Sequence, residues 1–398
     1  MWFRLGFRTA MPMASVCMVT AAGLSFLFAA DVPSRIPPPD ISSSGGIRVS
    51  PAPGGAESDD LDASAANEAR AAIERGVAWL IRSQHGDGHW SDSPAPGLTA
   101  LPLWAVAGAG GQEDAVAKAL AWLLARQSAD GSFRETPVAG VDPYRSRIWN
   151  TAVSLLALRA AWKPELTAPV LKARDYLRGR QCLAPGPARG GFGPEGTRAA
   201  SNAAAWVDSY YAFEAMYLSA AVESLRPQGR PRADLDWKAA IEFLARDGIR
   251  PPEDSPGTTA ATSNSPPFRL DSRAAAALLG LRYAGAARDD ARVKLAAGRL
   301  TAGWSLEPNP ERGSAGGYEE YAVLAKAVMM SGKNEDPAPE SSRWQPRTDL
   351  VAKLTGLQRI DPGTGDGYWM SREGAMGMSN ALPATAHAIL ALLVAAGM

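Results

Sequence analysis

The chain has 398 residues, 41 basic and 41 acidic side chains, and 46% hydrophobic residues, enough for one sizeable folded body. Its net charge of zero removes the electrostatic basis for nucleic-acid binding. With 2 cysteines and 3 histidines, it is not a disulfide-dense scaffold and has few soft metal ligands.

Met1 to Ala30 reads as an export segment, because Arg4 and Arg8 precede an uncharged apolar stretch from Ala10 to Ala30, which Asp31 ends. Two outcomes stay open. Ala29 and Ala30 would suit cleavage, yet Leu27 or Phe28 at the third position before the cut fits the small-x-small rule poorly. Retention as a membrane anchor is the alternative, since about 20 apolar residues span a bilayer. Either outcome places the body in the periplasm or cell envelope, with membrane contact only through this segment. Cleavage would leave Cys182 as the sole thiol, so no internal disulfide could form. Residues 31–66 are rich in Pro, Ser, Gly and Ala and lack aromatic side chains, which predicts a disordered spacer. The acidic run Asp59 to Asp62 falls within it. The folded domain is expected over 67–398.

The first unit of that domain is predicted as two unlike helices. Ile73, Val77, Leu80 and Ile81 share one helical face while Glu74, Arg75 and Arg82 take the other, so the first helix is amphipathic and half exposed. It should end near Gln84, because Gly86 and Gly88 disfavour further helix. The run from Leu98 to Ala109 is apolar on all sides, as a fully buried helix would be.

The same alternation returns along the chain. Lys118 to Phe133 leads to the run Thr151–Ala161. Lys172 to Gln181, with a loop holding Gly190, Gly191 and Phe192, leads to Ser209–Ala221. Lys238 to Gly248 leads to Ser272–Ala286. A weak helix at Val293–Leu300 leads to Tyr321–Met330, and Leu350 to Gln358 with Asp366–Trp369 leads to Ala386–Ala396. Six helix pairs, each about 45–65 residues long, exceed the period of about 34 of tetratricopeptide units.

Arg75-Gly76, Trp79-Leu80-Ile81, Gln84 and Gly88-His89-Trp90 resemble the QW repeat of squalene-hopene cyclases, oxidosqualene cyclases and protein prenyltransferase β-subunits. The likeness runs from about Ala65 to the C-terminus and is strongest in the first, second and sixth units. It implies an all-α fold, an α/α toroid of about six outer amphipathic and six inner apolar helices around a central cavity. It also implies that Gln84, Trp90, Gln127, Phe133, Gln358 and Trp369 are structural, the glutamine tying a helix end to the neighbouring unit. Helix-terminal carbonyls need such partners.

The chemistry that the resemblance would bring is not present in full. Squalene-hopene cyclases protonate an alkene with D-x-D-D-T at the start of an inner helix. The nearest place here is Trp206-Val207-Asp208-Ser209-Tyr210. With Asp208 in the middle position, Trp206 and Ser209 replace the flanking carboxylates. A plainer reading makes Asp208 or Ser209 an N-cap, matched by Asn150-Thr151 and Asp271-Ser272 in their own units. Protein prenyltransferases hold zinc with Asp, Cys and His. Cys182 falls at an outer helix end, His387 within an inner helix, and His85 and His89 on a turn, so no metal site and no cofactor are expected. The Gly-Cys-Gly-Glu-Gln motif of complement-type thioester domains is absent.

The starts of the inner helices remain as candidate sites. Asp208, Asp271, Glu320 and His387 are the candidate acids and base. Trp149, Asn150, Trp206, Tyr210, Tyr318 and Tyr321 are the candidate ligand-binding residues, with Tyr211, Arg269, Glu319, Asn380 and Thr385 nearby. Converging helix N-termini add a partly positive field. Against each stands packing or, for His387, a hydrogen-bonded core histidine. Two functions follow: an exported toroid binding an apolar, glycan or peptide ligand without squalene-type or zinc chemistry, or an active terpenoid-cyclase-like enzyme using a cavity carboxylate as acid. Polysaccharide processing shares the fold by analogy alone.

Overall fold

Apolar runs of two kinds, one-sided and all-round, can both be buried only if the all-round helices are enclosed by the one-sided ones. The computed structural model has this arrangement. It describes residues 61–91, 95–135, 146–193, 206–226, 234–249, 270–302, 306, 317–331, 345–370 and 381–398. The export segment, most of the spacer and the loop from Pro251 to Pro267 lie outside them.

Twelve α-helices occur among the described residues. The odd-numbered ones are α1 (Ala63–Arg82), α3 (Glu113–Leu124), α5 (Thr167–Arg178), α7 (Trp237–Gly248), α9 (Ala291–Ala302) and α11 (Pro346–Leu357). The even-numbered ones are α2 (Gly97–Ala109), α4 (Arg147–Ala160), α6 (Trp206–Leu218), α8 (Leu270–Tyr283), α10 (Tyr318–Ser331) and α12 (Ala381–Ala396). Each even helix packs on the next, α2 on α4, α4 on α6, α6 on α8, α8 on α10, α10 on α12, and α12 back on α2. They form a closed inner ring. The odd helices lie outside it, α1 against α12, α2 and α11, α5 against α4 and α6, and α7 and α9 against α8. The chain is an all-α, α/α toroid. Among the described residues the paired backbone outside helices is a two-residue antiparallel pair in the sixth turn, β1 (Arg359–Ile360) with β2 (Gly367–Tyr368), and the single bridges Gln127–Phe133 and Gln181–Phe192.

The turns between outer and inner helices in the first three units share one set of hydrogen bonds. Gln84 Nε2 donates to Gly88 O within its turn and to Ala115 O in the first turn of α3. Gln127 Nε2 does the same to Gly131 O and Pro169 O, and Gln181 Nε2 to Gly190 O and Asp236 O. Each glutamine thus joins its own turn to the next outer helix. Gln358 closes the circle by donating to Ala72 O of α1, while Arg75 donates back to its Oε1. Arg82 pairs with Asp366 at 2.6 Å across the same joint, and Trp79 stacks on Tyr368.

Two glycines show how close these joints are. Gly131 and Gly190 have φ of +89° and +93°, and a Cβ on them would stand 2.1 Å from Lys172 O and 1.9 Å from Ala239 O. Both requirements select glycine.

The aromatic residue of each turn is core. Trp90, Phe133, Phe192 and Trp369 are buried, and their backbone N–H groups donate to Thr99, Thr151, Ser209 and Thr385 in the inner helix that follows. This corrects the expected caps. Helix α4 starts at Arg147 and is capped by Ser146, whose hydroxyl accepts from Trp149 N. Helix α6 starts at Trp206 and α8 at Leu270, so Asn150-Thr151, Asp208-Ser209 and Asp271-Ser272 all lie inside their helices, within the first five residues. Their polar side chains resemble caps in sequence because the first turn also has donors and acceptors to satisfy. Asp62, read as spacer, is the N-cap of α1 and accepts from Ala65 N.

Between the third and fourth units a buried guanidinium gathers four partners. Arg174 donates to Glu223, Met216 O, Ser219 Oγ and Asp234. Arg226 adds bonds to Glu223 and Asp175.

Candidate functional site

Because the six inner helices close a ring, residues on non-adjacent members meet only inside it. Three such meetings define the lumen. Tyr211 on α6 and His387 on α12, three steps apart in the ring, are joined by a hydrogen bond of 3.0 Å between the phenol oxygen and Nε2. Lys326 on α10 reaches Glu214 on α6 with Nζ 2.6 Å from Oε1. Lys326 also lies over the Trp104 ring of α2, 4.5 Å from its centroid, and donates at 3.4 Å to the Tyr210 hydroxyl.

The ion pair is deeply buried, with side-chain exposures of 6% for Lys326 and 2% for Glu214. Glu214 Oε2 meets no donor in strict hydrogen-bond geometry, but the Tyr210 and Tyr283 hydroxyls stand close enough to the carboxylate for hydrogen bonding to it to act on both phenols. Tyr210 and Glu214 are four residues apart on one face of α6, and Tyr217 follows three residues on. Tyr283, the last residue of α8, stacks on Tyr217 with ring centroids 4.8 Å apart. Burial first, and then the nearby charge of Glu214, holds the phenols of Tyr210 and Tyr283 well above the usual tyrosine range. Both remain O–H donors at any physiological pH.

The candidates named from sequence divide between this lumen and other places. Tyr210 and His387 belong to the lumen. Trp149 is buried on α4 and meets Tyr211 edge to face at 6.1 Å. Asn150 binds α2 to α4, its Oδ1 accepting from Gly97 N while its Nδ2 donates to Ser146 O. Trp206 turns outward against Phe243 of α7 at 5.3 Å. Tyr318 and Tyr321 pack on each other at 5.9 Å, and the Tyr321 hydroxyl donates to Leu306 O. Asp208 is 6% exposed in the first turn of α6, and Glu320 is half-buried in that of α10. The backbone of Asp271 is in α8, but its side chain lies outside the described residues, as do Arg269 and Asn380.

Glu214 and Lys326 were not among the sequence candidates. A signal existed, since each is the lone charge within an otherwise apolar inner run, YAFEAMYL and AVLAKAVMM. A lone charge in an all-round apolar helix must find a partner inside the ring.

Among the described residues no group of three or more His, Cys, Asp or Glu could hold a metal ion, and no helix is long and apolar enough to cross a membrane. A groove of about 1060 Å³ lies outside the ring, between α1, the link from Gly108 to Glu113, and Leu393 and Met398. It shares no residue with the lumen.

No family model matches the chain, and no curated protein sequence does. Solved structures do. The type II terpene cyclase MstE from Scytonema, as an Asp-to-Asn variant bound to its substrate geranylgeranyl dihydroxybenzoate, superposes with a TM-score of 0.54 at 14% identity, covering 84% of this chain and 99% of the enzyme. An Asp-to-Ala variant bound to its product, merosterolic acid A, gives 0.52 at 16% identity, over 84% and 99%. The apo enzyme gives 0.53 at 15%, over 83% and 98%. At such identities the likeness concerns the fold alone. Ring closure and superposition agree that the chain is a toroid of the terpene cyclase-like fold.

Proposed function

We propose that the chain is an exported toroid that binds a largely apolar molecule inside its ring, without squalene-type protonation. One observation carries the reading, the Glu214–Lys326 pair held in the lumen among Trp104, Tyr210 and Tyr283. Exchanging a buried ion pair for apolar side chains of similar volume often leaves a fold equally or more stable. A pair kept buried between non-adjacent inner helices, where apolar side chains could pack as well, supports a use beyond packing. Aromatic walls with a few directed polar groups suit an apolar ligand of limited polarity. They do not suit a glycan, whose many hydroxyls would compete with groups that here engage one another.

The flanks of Asp208 support the second half of the reading. Trp206 replaces one supporting carboxylate and packs outward, and Ser209 replaces the other, with its hydroxyl committed to Phe192 N. The Scytonema enzyme shows that this fold accommodates an isoprenoid-bearing molecule, and it lends the proposal its ligand class by analogy. Export rests on Arg4, Arg8 and the apolar stretch that follows them.

Extraction of the purified protein followed by mass spectrometry tests the reading. A stoichiometric apolar molecule is expected, and clean protein or a bound saccharide would overturn it. Incubation with geranylgeranyl dihydroxybenzoate should return that compound unchanged. A cyclised product would overturn the non-cyclase half and point to Asp208.

A further inference from the structure

We infer that the groove outside the ring is a docking site for a basic amphipathic helix of a partner protein. It lies apart from the lumen and does not depend on what the lumen holds.

Shape comes first. Ile73, Val77 and Ile81 recur at every fourth position of α1 and give the groove one apolar wall. Ala109, Leu393 and Met398 add apolar surface at, or just beyond, the ends of α2 and α12. From Arg70 to Arg82, the groove residues at its two extremes, α1 rises about 18 Å. A volume of about 1060 Å³ over that length has a mean cross-section of about 60 Å². A helix is about 10–12 Å across, or about 80–110 Å² in section, so the groove takes more than half of one and leaves its polar face in water. That is the geometry of helix-in-groove recognition. The walls are helices and a link, with no strand edge for an extended peptide to pair with.

Charge then selects the helix. Arg82 is neutralised by Asp366 at 2.6 Å. Glu74 and Glu113 are exposed on the groove, and among the described residues their carboxylates have no ion pair. Against these two stands Arg70, whose guanidinium donates to the neutral Asn67 side chain. Helix α2 ends on the groove at Gly108 and Ala109 with no basic residue in its last turn, so its carbonyl end adds to the negative field. Beyond it, Gly110 and Gly111 have open space where side chains would stand, which leaves that end accessible. Lysines or arginines flanking the apolar stripe of an incoming helix complement both carboxylates; an acidic helix is repelled by them.

The test follows the fluorescence anisotropy of the fluorescein-labelled peptide LKKLLKLLKKLL as the purified chain is added at low salt, beside that of its acidic counterpart LEELLELLEELL. The lysine peptide should bind with a Kd on the order of 10 μM, as suits a small interface, and the glutamate peptide at least about tenfold more weakly. In E74K/E113K, which reverses both exposed carboxylates, affinity for the lysine peptide should fall about tenfold. In A78W, which fills the groove at a half-buried position and leaves its charges in place, it should fall by about tenfold or more. Circular dichroism verifies that both variants are folded. Failure of the lysine peptide to bind, or equal binding of the two peptides, would overturn the proposal. Affinity retained in A78W would put the peptide elsewhere on the surface and overturn it as well, and affinity retained in E74K/E113K would overturn the role of the carboxylates. Binding of dodecylamine by calorimetry, with none of the peptide, would overturn the helix in favour of a small cationic amphiphile.

Discussion

The frame of the ring and its lumen treat buried polarity in opposite ways. Around Arg174, Nε, Nη1 and Nη2 all donate, both Glu223 oxygens accept, and Asp234 takes bonds from Arg174 and from the Trp237 indole. In the lumen, Glu214 has Oε1 bonded to Lys326 and Oε2 outside strict hydrogen-bond geometry, with only the Tyr210 and Tyr283 phenols beside the carboxylate. A saturated cluster holds elements together, whereas an unsaturated one has capacity left for something else. The same contrast separates the glutamine joints of the first three units, where each amide meets two carbonyls, from the inner face of α6.

If the contrast is sound, the frame should be fragile to substitution and the lumen tolerant. Arg174→Met should cost the most, about 3–5 kcal/mol in denaturant unfolding, because Asp234 would lose its cation, Glu223 would keep only Arg226, and Met216 O and Ser219 Oγ would lose a buried donor. Gly190→Ala comes next, at about 2–3 kcal/mol by the same measurement, since both the φ and the approach of Ala239 O exclude a side chain. Gln127→Ala should cost about 1 kcal/mol, as Gly131 O and Pro169 O lose a shared donor at a half-buried site. E214M/K326M should unfold at the same denaturant concentration as the parent or a higher one. A loss as large as that of Arg174→Met would erase the distinction between frame and lumen.

The frame should also reveal itself by pH. Burial alone would raise the Glu223 carboxyl, but hydrogen bonds from Arg226 and Arg174 and their charges outweigh it and bring it to about 2, from an ordinary 4.5. A depressed carboxylate stabilises the fold fully above its unfolded value and loses that contribution as pH falls through the folded one. Stability should therefore decline between pH 4.5 and 2. In Glu223→Gln that part of the decline should be missing from a pH series of thermal melts.

The architecture was legible because it rests on polarity alone. One-sided and all-round apolar runs alternate, and only nested rings bury both. Helix starts were read about three residues late at α4 and α6, since Asn150, Thr151 and Ser209 look like caps while serving the preceding turn and the neighbouring helix. The lumen was legible in pieces. Tyr210 and His387 stood out by type, but nothing local pairs His387 with Tyr211, 176 positions away. Glu214 and Lys326 are lone charges in apolar runs 112 positions apart, and only ring closure brings them together.

The joint between Gln358 and Ala72 makes the sixth unit the neighbour of the first, bonded as Gln127 is to Pro169 and Gln181 to Asp236. Four of the joints between units are thus glutamine-mediated, and the one between the sixth and first units is held without a peptide connection. Which link lacks its peptide is a matter of gene order more than of mechanics. A circular permutant that tethers the end of α12 to the start of α1 and opens at another outer-to-inner turn should close into the same ring.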